Sequence, residues 1–113
     1  MNNEADDWLK KPMVDDGMLF IDPSRFYVSC RGQELKLTST EFKILYILAS
    51  AGGKIVTRKT MVSDITQNEY FMNEATVRVH ISKLREKLPE KSIILKPIVA
   101  IGYRYIQINE SSK

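Results

Sequence analysis

Apolar and polar positions follow different rhythms along this chain, and each rhythm predicts a different kind of element. Residues 18–21, 26–30 and 34–37 are short apolar-rich runs, separated by the turn compositions Asp22-Pro23-Ser24 and Arg31-Gly32-Gln33. That pattern predicts a small antiparallel sheet. From Thr38 the period lengthens to that of a helix. Phe42, Leu45, Leu48 and Ala49 share one face, and Ile44 and Ile47 widen it. The Thr38 hydroxyl can cap the first turn, Glu41 three residues on completes a capping box, and Gly52-Gly53 ends the helix. A second helix is expected from Thr57 to about Ile65, burying Met61, Val62 and Ile65.

The clearest period lies in residues 74–88, with Asn73 as the cap and Pro89 as the stop. Val77, Ile81, Leu84 and Leu88 form one narrow apolar stripe, and the far side is polar, charged or small. Residues 93–96 and 103–108 return to strand patterning around 97–102, which reads as a hairpin. The order is three strands, three helices, two strands. This is an α+β chain with the outline of a winged helix-turn-helix: an N-terminal antiparallel β-sheet, three helices and a C-terminal β-hairpin wing.

Before that body, residues 1–17 are polar and acidic and read as a linker or tail anchored only at Trp8 and Leu9. Residues 18–108 form the domain, and 109–113 a short C-terminal tail. A chain of 113 residues is of single-domain length. One cysteine, Cys30, excludes an internal disulfide and fits a reducing compartment. No second thiol, histidine or carboxylate group stands near it at ligand spacing, so no metal site is expected. The apolar runs are too short to span a bilayer and the acidic N-terminus is unlike a signal peptide, which points to the cytoplasm and away from a membrane.

Charge sharpens the picture through its distribution. The net +3 divides into −3 over residues 1–17, +1 over 18–74 and +5 over 75–113. A basic final third on a near-neutral body is what a polyanion-binding face requires. Helix 74–88 concentrates that charge. Lys83, Arg85 and Lys87 can neutralise phosphates or donate to a guanine edge, and Thr76 and Ser82 can donate or accept. On pattern alone the same helix is equally a solvated amphipathic one.

Four segments in order carry a family resemblance. Thr38, Glu41, Phe42, Leu45 and Leu48 are similar to the first helix of OmpR/PhoB-type response-regulator effector domains, and residues 53–58 (GKIVTR) resemble the lead-in to their second helix. Residues 75–88 (ATVRVHISKLREKL) resemble their recognition helix, and Gly102-Tyr103-Arg104-Tyr105 the second strand of their wing. The likeness covers roughly 18–108. It implies sequence-specific binding of double-stranded DNA and regulation of transcription, without cofactor or enzymatic activity. It further implies an N-terminal receiver domain in the full-length protein, dimers on DNA, and contact with RNA polymerase through the 66–72 loop, which holds Tyr70 and Phe71.

By the same resemblance Thr76, Arg78 and Lys83 face bases, and His80, Arg85 and Tyr103 face the backbone. His80 reads equally as a packing residue, and Tyr103 as a core aromatic. The chain also departs from the family. Arg78 stands where an acid is common, Ala75 replaces a phosphate-contacting arginine, and Val99 and Ala100 replace the wing's arginine and glycine. The missing wing arginine leaves room for an alternative, a winged-helix module that binds protein and not DNA.

Overall fold

Alternation in the first half of the chain closes an antiparallel sheet whose inner face is apolar. The computed structural model describes residues 4–66 and 73–108. Strands β1 (Val14–Asp15), β2 (Leu19–Asp22), β3 (Tyr27–Cys30) and β4 (Gln33–Glu34) lie in that spatial order. Leu19 pairs with Cys30 and Ile21 with Val28, and all four side chains are buried. The first strand was expected to begin at Met18 and the second at Phe26, and each begins one residue later. Phe26 closes a single 3-10 turn, Pro23–Arg25, in the left-handed conformation at φ 47°. Its ring stacks on Phe42 at 4.4 Å between centroids. Asp22 holds the turn by accepting from the Ser24 amide and hydroxyl and from Arg25 Nε. The third run stops at Glu34, because after Leu35 bonds back to Val28 the chain turns away to start a helix.

Helix α2 (Ser39–Ser50) begins with the capping box read from the sequence: Thr38 Oγ1 accepts from the Glu41 amide, and Glu41 Oε1 accepts from the Thr38 amide. Its buried Phe42, Ile44, Leu45 and Leu48 form the centre of the core. Gly52 and Gly53, at φ 62° and 94°, turn the chain out of the helix into β5 (Val56–Thr57). Helix α3 (Arg58–Thr66) is capped by Thr57 Oγ1, which accepts from the Thr60 amide. Met61 and Ile65 are buried, whereas Val62 is only half-buried. Helix α4 (Glu74–Lys87) starts at the Asn73 cap and ends at extended Leu88, because Pro89 disfavours a helical predecessor.

The C-terminal hairpin is longer than its sequence pattern suggested. Strands β6 (Ile93–Ile98) and β7 (Gly102–Gln107) pair as far as Ile98 with Gly102, so Pro97 lies inside a strand. Proline is tolerated there because β6 is the outer strand of the order β5-β7-β6. Pairing of β5 with β7 was not anticipated, and it explains Gly102. A Cβ at that position would meet the Val56 carbonyl oxygen at 2.0 Å.

Residues 4–17 meet the body at more places than the Trp8–Leu9 anchor expected. Among the described residues they supply helix α1 (Glu4–Leu9) and strand β1, giving four helices in place of the three expected. Trp8 is 1% exposed and packs edge-on against Tyr46 at 5.5 Å, while Leu9 points outward. Tyr46 donates its hydroxyl to the Pro12 carbonyl, and Tyr105 donates to Asp16 Oδ2 at 2.6 Å. Acidity misled the reading. Asp16 is acidic because it accepts the Leu19 amide and the Tyr105 hydroxyl together, not because it belongs to a solvated tail. Among the described residues no helix is long and apolar enough to cross a membrane.

Two stability effects follow. Trp8→Ala should lower the unfolding free energy by about 3–5 kcal/mol, read from the urea midpoint. A mere linker would leave that midpoint unmoved. At the wing, the Ile101 amide donates to Ile98 across a turn whose third residue, Ala100, sits at φ 65°. Relief of left-handed strain is about 1–2 kcal/mol, and the added freedom of the unfolded chain offsets about 0.4–1 of it. Ala100→Gly should therefore raise stability by about 0.5–1 kcal/mol in the same measurement.

Candidate nucleic-acid interface

Helix α4 turns its stripe of Val77, Ile81 and Leu84 into the core, against α2, α3 and β6. At about 100° per residue, Ala75, Val79, Ser82 and Glu86 lie opposite that stripe. Thr76 and Lys83 flank them on one side and Arg78 on the other. Ala75, Arg78, Val79, Ser82, Lys83 and Glu86 are exposed, and Thr76 and His80 are half-buried. Val79 is 53% exposed, a β-branched side chain at the centre of the solvent face. Val79 was not among the expected contact residues, which are polar, charged or aromatic.

The expected contact residues divide sharply. Arg78 and Lys83 have no internal hydrogen bond or ion pair among the described residues, so their charges are available to a ligand. The Thr76 hydroxyl donates to Asn73 Oδ1 at the helix cap, leaving its methyl and its lone pairs. Three others are engaged by the fold, although Arg85 and Lys87 remain exposed and keep further N–H donors. Arg85 donates from Nη2 to the Leu95 carbonyl of β6. Lys87 pairs with Glu41 Oε1 at 2.7 Å, on the side of α4 that faces α2. The Tyr103 ring is 6% exposed, inside the hairpin sheet between Val56 and Pro97. Periodicity along one helix could not reveal these partners, because each lies on another element.

Beside α4 runs an open groove of about 690 Å³ lined by Arg58, Lys59, Val62 and Ser63 of α3 and by Asn73, Glu74, Ala75 and Arg78. It gathers three cations against one acid, and Arg58 pairs with that acid, Glu74, at 3.4 Å. Arg58 and Lys59 were not named from the sequence. Their signal was their place at the start of the second helix, next in space to the third. The wing tip is apolar: Val99 is 89% and Ile101 46% exposed. The loop holding Tyr70 and Phe71 lies outside the described residues. Among the described residues no group of three or more His, Cys, Asp or Glu is placed to hold a metal ion.

Glu41 is the electrostatic joint behind this face. Burial pushes its carboxyl up, but the Lys87 ammonium and the Thr38 amide donate to the ionised form and hold it below the usual carboxylate range. Two other shifts are structural. Burial and the neighbouring Asp16 push the Tyr105 hydroxyl up, and burial pushes the Cys30 thiol up despite a hydrogen bond with Ser92.

A sheet, a helical trio ending in an outward-facing third helix, and a hairpin packed beside it define a winged helix-turn-helix. Residues 32–105 match the family described as transcriptional regulatory protein, C terminal. The chain belongs to this family, the OmpR/PhoB-type domains of transcriptional regulators, which are not enzymes. It is 41% identical over 88 residues to the regulatory protein VanRB of Enterococcus faecalis, covering 78% of this chain and 39% of that protein. It is 33% identical over 91 residues to the transcriptional regulatory protein ResD of Bacillus subtilis, covering 77% and 38%. The chain thus spans about two-fifths of these relatives.

Among solved structures, the DNA-binding domain of CpxR from Escherichia coli superposes with a TM-score of 0.73 at 30% identity, covering 88% of this chain and all of that one. The Klebsiella pneumoniae RstA DNA-binding domain, solved with its RstA box, gives 0.67 at 29% identity, covering 84% and 97%.

The joint makes a pH prediction. A carboxyl depressed in the folded state stabilises the fold above its unfolded value, about 4.3, and that contribution is lost as pH falls through the folded value. Glu41→Gln should cost about 1–3 kcal/mol at pH 7, and the gap from the parent should close only at acidic pH, as pH falls through the depressed folded value of Glu41. Urea titrations at both pH values check this, and a gap that does not depend on pH would contradict the ionised pairing.

Proposed function

We propose that this chain is the DNA-binding effector domain of a two-component response regulator, reading duplex DNA with α4 in the major groove. One observation carries this reading: α4 buries a single narrow stripe and presents a face on which Arg78 and Lys83 are uncommitted. A B-DNA major groove about 12 Å wide admits such a helix. Arg78 and Lys83 supply donors for purine edges, Thr76 an acceptor and a methyl, and Val79 a methyl surface for thymine. His80 lies at the phosphate side, and Arg58 and Lys59 extend the basic surface along α3. The CpxR and RstA domains support the assignment, since each is a DNA-binding domain and RstA is bound to its box.

The same reading places the protein in the cytoplasm, with a receiver domain N-terminal to this one and pairs of chains on adjacent half-sites. Contact with RNA polymerase through residues 66–72, including Tyr70 and Phe71, rests on family resemblance. The exposed apolar wing tip favours a second reading, a module that binds a protein partner. Salt separates the two. DNA affinity falls on a log–log plot with a slope of about −0.9 per phosphate neutralised, and an apolar protein interface shows no such slope.

A binding selection on random duplex DNA tests the primary reading. Lys83→Ala should relax discrimination at one base position by about 1–3 kcal/mol. A parent domain that enriches no sequence at modest salt would sink it.

A further inference from the structure

We infer that Arg85 is a positioning residue for DNA binding, clamping the wing to α4, and not a phosphate ligand. The inference rests on the DNA-binding reading above. The Arg85 guanidinium donates through Nη2 to the Leu95 carbonyl. Leu95 lies in β6, which among the described residues pairs with β7 alone, so the other edge of this strand meets no described strand and Arg85 occupies a place on it. The anchor is stiff. The Leu95 side chain is buried, and its register partner Tyr105 is tied to Asp16.

The same two elements are joined again near their other ends. The Arg58 amide donates to the Ile101 carbonyl at 3.1 Å, beside the wing tip, and the Arg58 guanidinium pairs with Glu74 in the first turn of α4. One arginine therefore ties the wing tip to the start of α4, and the other ties the wing base to its last turns. Val99 stands about 13 Å along β6 from Leu95. Thr76 stands about 14 Å back along α4 from Arg85. The two ties thus fix how far the neutral wing tip stands from the base-facing side chains. A tip without a cation acts through placement, so its alignment with α4 is what the clamp contributes.

Salt titration of DNA binding discriminates, using the 113-residue chain and a duplex from the selection. Arg85→Gln should weaken binding by up to about ten-fold at fixed salt, the limit reached if the wing freed by the lost charge-assisted hydrogen bond must be re-ordered on binding, with the log–log slope unchanged. In the free variant the β6 amides should exchange with solvent faster than in the parent. A slope smaller in magnitude by about 0.9 marks a lost phosphate contact and overturns the inference. Unaltered affinity together with unaltered exchange overturns it as well.

Should the glutamine variant fail to fold, Arg85→Lys replaces it. Lysine keeps the charge but is one bond shorter than Nη2, so the clamp reading predicts weakened binding and the phosphate reading predicts parental binding. A parent that selects no duplex removes the DNA reading and this inference together, whereas a binding parent with a reduced variant slope removes the clamp alone.

Discussion

Glu41 is withdrawn from water at the first turn of α2, and a buried carboxylate must be paired, hydrogen-bonded or protonated. Its oxygen accepts from the Thr38 amide and from the Lys87 ammonium. The first bond closes the cap of the helix that organises the core. The second fixes the end of α4 to the start of α2, so the orientation of the outward-facing helix follows from a charge in the interior. Around that joint the apolar stripe of α4 seals against α2 and α3, and its uncommitted cations face outward.

The hairpin joins the interface mainly by packing, with Lys96 exposed on its outer strand. Its inner strand, β7, receives β5 so closely that only glycine fits at position 102. Tyr103 and Tyr105 lie in the core, while the tip and the outward-facing Ile94, Lys96 and Pro97 of β6 are exposed. That tip is apolar, and Ala100 within it is held in the left-handed region at φ 65°. Among the described residues, exposed cations without an internal partner stand at Lys59 on α3 and at Arg78 and Lys83 on α4, while Arg58 is paired with Glu74. Arg85 and Lys87, which look like the same kind of residue in sequence, serve as internal ties.

Much of this architecture was legible along the chain because it depends on short-range physics. The capping box at Thr38 and Glu41, the Asn73 cap, the proline stop and the stripe of α4 are set by residues three or four positions apart. Element order and the four family segments placed the candidate face on α4. Local patterning also fails in characteristic ways. Acidic residues 1–17 resembled a solvated tail, yet Trp8 and Asp16 belong to the body through Tyr46 and Tyr105, which lie far along the chain.

What the sequence determined by itself was the three central helices with their caps, the hairpin, and the helix that carries the candidate site. The tertiary structure alone decided which of its cations are available. Helical period sets Arg78 beside Arg85 and Lys83 beside Lys87, so it does not separate the uncommitted cation from the engaged one on either flank. Partners supplied by β6 and α2 separate them, because a hydrogen bond depends on which groups folding brings within about 3 Å, not on their distance along the chain.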